Sequence, residues 1–180
     1  NIIWSIAFDS KGFGWIGTEN GLNRFGVGDD DKITFTAYYK NSGTAPLTDN
    51  SIWKVYVDGN NNIWLLSFYG MLDCLLSKEA SLAPASAKFI HLLPLLNDKL
   101  HDKNFIILSL MEDEKKTLWA GTDKQGLLHF SIDINEHTAN IAYAEHFVHD
   151  DIDDKSLSNN AVYSLYEDGN GVMWIGTSNG

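Results

Sequence analysis

One short pattern is written four times in this chain, in phase. An Asp is followed six positions later by a Trp at Asp9/Trp15, Asp58/Trp64, Asp113/Trp119 and Asp168/Trp174. After the Trp come Ile16-Gly17-Thr18, Leu65-Leu66-Ser67, Ala120-Gly121-Thr122 and Ile175-Gly176-Thr177, and then a Gly at 21, 70, 126 and 180. The Trp residues lie 49, 55 and 55 positions apart. A period of that size means that each repeat is one supersecondary unit, which buries its faces only by stacking on its neighbours.

Each repeat reads as four strands. Before the Asp stand the runs Ile3–Phe8, Ile52–Val57, Ile107–Glu112 and Val162–Glu167, with apolar side chains on both alternations, as a strand covered on both faces requires. Turns such as Asp58-Gly59-Asn60-Asn61-Asn62 supply the residues a tight hairpin needs. The Trp then sits on a second strand. A third follows at Leu22–Phe25, Met71–Leu75 and Leu127–Phe130, and a fourth, more polar one at Ile33–Tyr39, Ala87–Leu92 and Ile141–Val148.

Four antiparallel strands in about 50 residues make one blade of a β-propeller. The expected fold is therefore all-β, about three and a half blades. The divisions are 1–49, 50–103, 104–158 and the incomplete 159–180. No segment carries a sustained helical stripe, so a helical solenoid is rejected, although the Ala- and Ser-rich stretch Ser77–Ala87 has room for a short helical turn.

The pattern resembles the two-component regulator propeller repeat, as do the connectors Pro46–Ile52 and Ser156–Val162. The second copy departs from it, with Leu66 where the others carry Gly, and the third has an extra residue before Gly126. The resemblance implies a seven-bladed propeller of which this chain is a part. It also implies the periplasmic sensor region of a hybrid two-component histidine kinase of Bacteroidetes type. Such regions precede a membrane anchor and kinase, and they respond to oligosaccharides. The partners so implied are a glycan, the remaining blades and a second propeller in a homodimer; the membrane is reached only through a downstream anchor.

The structural repeat positions are assigned to the blade itself: Asp9, Trp15, Gly17, Asp58, Trp64, Asp113, Trp119, Gly121, Asp168, Trp174 and Gly176. Recognition is sought where the copies differ. Lys54 breaks a row of serines at 5, 109 and 164, while Phe68-Tyr69 puts two aromatic rings where the other copies are polar. These three, with the turn residues Asn60 and Asn61, are the candidate ligand-binding residues. The expected topology sets the Phe68-Tyr69 turn opposite a funnel built from the first hairpin turns and linker residues such as Asn50 and Asn160.

Composition narrows the classes. The 180 residues carry a net charge of −11 with 24 acidic and 13 basic side chains, and no basic cluster suited to nucleic acid. One cysteine, Cys74, excludes an internal disulfide. The six His residues have no ligand spacing, so neither metal, cofactor nor catalytic residue is assigned, and the segment is read as a binding element rather than an enzyme. The rival readings are a propeller lyase or hydrolase whose catalytic residues lie elsewhere, and a propeller that binds only protein.

Overall fold

The computed structural model describes residues 2–28, 30–43, 45–101, 105–135 and 138–180. Asp29, His137 and the expected blade boundary at 103/104 lie outside the described residues. The chain forms two compact units, Asn1–Leu92 and Leu93–Gly180.

In unit 1, β1 (Ile3–Phe8), β2 (Gly14–Thr18), β3 (Gly21–Val27) and β4 (Ile33–Tyr38) form an antiparallel meander. A second meander follows in β5 (Ile52–Val57), β6 (Ile63–Ser67), β7 (Leu72–Leu75) and β8 (Phe89–His91). The two sheets pack face to face. Trp15, Leu22 and Tyr38 of the first sheet meet Val55, Ile63, Leu65, Leu75 and Phe89 of the second, with Leu47 of the linker between them. Gly17 makes this approach possible, because a Cβ there would lie 2.6 Å from the Ile52 carbonyl oxygen. Ser5 reinforces it by accepting the Val55 amide at 3.1 Å.

Unit 2 opens with α1 (Leu92–Leu100), continues with β9 (Ile107–Glu112), β10 (Leu118–Thr122), β11 (Leu127–Asn135) and β12 (Thr138–Phe147), and ends in the hairpin β13 (Val162–Glu167) and β14 (Met173–Thr177). Gly121 and Ser109 meet Val162 here as Gly17 and Ser5 meet the second sheet in unit 1.

Two features depart from the sequence reading. The segment from Leu92 is a helix, not the end of a strand. Its buried Leu92, Leu93 and Leu96 fall on one face, and Pro94 sits in the first turn, where the amide it lacks would have had no partner. The third-repeat hairpin is also longer than read, with β11 running on to Asn135 by the alternation Ile132, Ile134. The short helical turn anticipated within Ser77–Ala87 is a single 3-10 turn at Glu79–Ser81.

Candidate functional site

The repeated Asp and Trp form one device, four times over. The indole Nε1 donates to the carboxylate at 3.0 Å in Trp15–Asp9, 2.9 Å in Trp64–Asp58, 3.0 Å in Trp119–Asp113 and 3.0 Å in Trp174–Asp168. The other carboxylate oxygen accepts turn amides, those of Asn60 and Asn62 at Asp58, for example. Partial burial pushes the Asp113 carboxyl up, but the bonds from Thr117, Trp119 and the turn amides outweigh it and hold it below the usual range. The bonds from Trp174 and the turn lower Asp168 likewise. A carboxylate so occupied closes a turn and anchors a ring.

The register shifts inside every first strand. It does so between Ile3 and Ser5, between Ile52 and Lys54, between Val162 and Ser164, and in β9 opposite Gly121/Thr122. The residue left unpaired by these bulges is Trp4, Trp53, Leu108 or Tyr163. A bulge re-aims a side chain at a strand end, and three of these four residues are large aromatics.

That end also carries the β2–β3 type turns and the linkers. Gly21 N donates to Asn50 O at 2.6 Å and Phe68 N to Ser51 O at 2.8 Å in unit 1; Gly126 N donates to Asn160 O at 2.7 Å in unit 2. The expected topology is therefore corrected. Linkers share an end with the Phe68-Tyr69 turn, while the first hairpin turns lie at the opposite end. The reason is simple: a linker leads into the start of a first strand, and the first hairpin leaves from its finish.

The candidate residues consequently separate. Phe68 and Tyr69 are 62% and 70% exposed, and Trp4, 46% exposed, has its ring centroid 6.0 Å from that of Phe68. Trp4, which the sequence reading did not single out, thus joins Phe68 in an open aromatic pair at the linker end. Asn60 and Asn61 lie at the far end of the same sheet. Asn61 takes a positive φ of 61° and accepts the Ser10 amide at 2.7 Å, which ties its turn to that of the first sheet. Lys54 stands on β5 at the register position of Ser5, with its side chain exposed.

A polar cluster that the sequence reading missed supports this end. Asp73, buried in β7, accepts the Thr48 amide at 2.8 Å and the Thr48 hydroxyl at 2.7 Å, and lies 2.8 Å from His91 Nδ1 of β8. The hydrogen bond to Asp73 raises the His91 pKa, against the effect of partial burial. Thr48 belongs to the linker, so the clasp fixes the segment to which the Phe68 turn is bonded. The available signal was an Asp within the otherwise apolar run Leu72–Leu75, since a buried carboxylate requires partners.

Unit 2 holds an open cleft of about 510 Å³ lined by Trp119, Phe147, Leu157 and Ile175 among others. These occupy the register positions of Trp15, Tyr38, Leu47 and Leu65 in the unit 1 core. The cleft is therefore a core position of the repeat rather than a built site. Burial pushes the Cys74 thiol well up, which leaves it inert. Among the described residues, no group of three or more His, Cys, Asp or Glu side chains is placed to hold a metal ion.

Comparison with known proteins agrees with this architecture. The chain is similar in structure to the extracellular domain of the hybrid two component system BT4673 of B. thetaiotaomicron, with a TM-score of 0.64 and 24% identity, over 98% of this chain and 20% of that one. It is similar also to that of BT3049 from the same organism, with a TM-score of 0.60 and 22% identity over 100% and 28% of the two chains. PorZ, a surface component of the type-IX secretion system of Porphyromonas gingivalis, gives 0.68 and 17% over 99% and 25%. At these identities the likeness carries the fold, and the chain spans only 20% to 28% of the length of these relatives. No curated protein matches the chain. Residues 156–179 match the family model described as two component regulator propeller. They are therefore a two component regulator propeller repeat, and the three four-stranded blades before them repeat its turn and its Asp–Trp bond.

Proposed function

We propose that this chain is part of the extracytoplasmic, periplasmic sensor of a hybrid two component histidine kinase, and that it takes part in binding an oligosaccharide. The observation that carries the reading is the exposed aromatic group at the linker end of unit 1: Trp4, Phe68 and Tyr69. Aromatic faces cover the apolar C–H patches of sugar rings, and rings carried by a tight turn bonded to the linker cost little entropy to hold in place. Lys54 adds a cation on a neighbouring strand, suited to an acidic or sulfated sugar.

The mechanism is binding rather than chemistry. A ligand that prefers one arrangement of a propeller dimer shifts the population towards it, and the kinase beyond the membrane reads that shift. The test is a glycan array followed by titration of hits against Phe68→Ala and Tyr69→Ala. Weakened binding with unchanged unfolding is expected; equal binding by both variants overturns the assignment of this site.

A further inference from the structure

The second repeat departs from its neighbours at two places that are joined to each other. One is the aromatic turn Phe68-Tyr69. The other is Asp73, which pairs with Leu65 on one side and His91 on the other. At the same register the first repeat has Asn23 facing Ala37, and the third has Leu128 facing His146. Of these three repeats, the one with the aromatic turn is thus the one that sets a carboxylate beside an imidazole.

Hydrogen bonds close the two departures into a ring. Asp73 holds the linker at one point, through the Thr48 amide at 2.8 Å and the Thr48 hydroxyl at 2.7 Å. Three positions on, Ser51 O accepts the Phe68 amide at 2.8 Å. The turn then runs into β7 and back to Asp73, so both its entry and its exit are tied to residues 48–51. The protons follow by elimination. A carboxylate only accepts, so the Thr48 hydroxyl donates to Asp73. His91 Nδ1, 2.8 Å from both oxygens, therefore carries its hydrogen, and Nε2 is the nitrogen that titrates. The His91 side chain is 40% exposed and that of Asp73 is 4% exposed, so a proton taken from water places its charge beside a buried carboxylate.

We propose that Asp73 and Thr48 are positioning residues for the Phe68-Tyr69 turn, and that the charge on His91 sets how tightly they hold it. The value of this for recognition rests on the sugar-binding reading above; the hold itself does not. With His91 protonated, the buried carboxylate has its counter-ion and the ring of bonds is tight. With His91 neutral, Asp73 keeps its donors but loses the opposite charge, and the linker loosens. The bond to Asp73 raises the His91 pKa, so the hold is fully present below 6.5 and weakens as pH rises through the raised value. Asp73 is the charged group that acts on the ring. Around it in unit 1, Asp49 of the linker accepts the Ser51 amide, and Lys54 and Lys88 are exposed.

Amide hydrogen exchange of the chain at about pH 5.5 and 8.5, corrected for the intrinsic rate, tests this. The reference is the Asp123 amide, which bonds to Ile106 O at 3.0 Å at the same place in the third repeat, where Leu128 replaces Asp73. Protection of Phe68 should fall with rising pH by about fivefold more than that of Asp123. Thr48→Val should lower it at both pH values and Thr48→Ser should restore it. His91→Asn, which keeps an uncharged donor near Nδ1, should remove the pH difference. The affinity of any glycan hit should follow the same profile. An array without hits overturns the sugar reading alone, because exchange decides the positioning by itself. Equal falls at Phe68 and Asp123, full protection in Thr48→Val, or an unchanged slope in His91→Asn would each overturn the proposal.

Discussion

Replacing Asp58 by Ala removes one of the two repeated carboxylates that accept four bonds, and the more buried of the two. Asp58 is buried and accepts four bonds, from Asn60 N at 2.9 Å, Asn62 N at 2.8 Å, Asn62 Nδ2 at 2.9 Å and Trp64 Nε1 at 2.9 Å. The exposed Asn60 amide finds water once the carboxylate is gone. The donors of Asn62 and Trp64 do not, because both residues are buried. Each buried donor left without an acceptor costs roughly 1–3 kcal/mol, so the expected loss is about 4 kcal/mol. In urea, with a slope of about 2 kcal/mol per molar, the midpoint falls by about 2 M, read by circular dichroism. Combining Asp58→Ala with Trp64→Phe should cost less than the sum, since the second change removes one stranded donor. The same substitution at Asp168 moves the midpoint far less, because Trp174 is open to water. A loss at Asp58 below about 1 kcal/mol would refute the view that the repeated Asp is a structural pin.

Further outcomes follow from the same geometry. Gly17→Ala drives a methyl against the Ile52 carbonyl and should lower stability by about 1–3 kcal/mol, measured as a fall in urea midpoint. His91 has a folded pKa above its ordinary 6.5, so its contribution to stability is fully present below 6.5 and is lost as pH rises through the raised value. A series of melts from pH 5.5 to 8.5 should show this slope, and His91→Gln should flatten it. Asp113 is held low, so its contribution persists above 3.8 and disappears as pH falls through its folded pKa; acid melts of Asp113→Asn should lack that component. Leu96→Ala empties a fully buried position on α1 and should cost about 2–5 kcal/mol by the same assay.

The features legible in the sequence are those that every repeat needs. First strands, Asp turns and Trp strands follow from local periodicity and turn chemistry, and the Gly after Trp follows from close packing. What escaped was set by context outside the repeat. The helix at Leu92–Leu100 is short and contains a proline, so its spacing of 92, 93 and 96 resembled a linker; only the position of Pro94 in the first turn makes it acceptable. The Asp73–His91–Thr48 clasp joins residues up to 43 positions apart and, among the described residues, exists in the second repeat alone. The misplaced funnel was an error of connectivity, which antiparallel order alone resolves. Trp4 escaped because a bulge, invisible in composition, turns it towards Phe68.

Shared positions build the blade, and under the proposed function the differing positions recognise the ligand. The most direct measurement is glycan affinity and unfolding midpoint side by side for Phe68→Ala/Tyr69→Ala and the parent chain. Each exposed ring that a sugar covers is worth about 1.5–3 kcal/mol, so the double variant should bind at least a hundredfold more weakly while its midpoint stays unchanged. Undiminished affinity in the double variant would contradict the account.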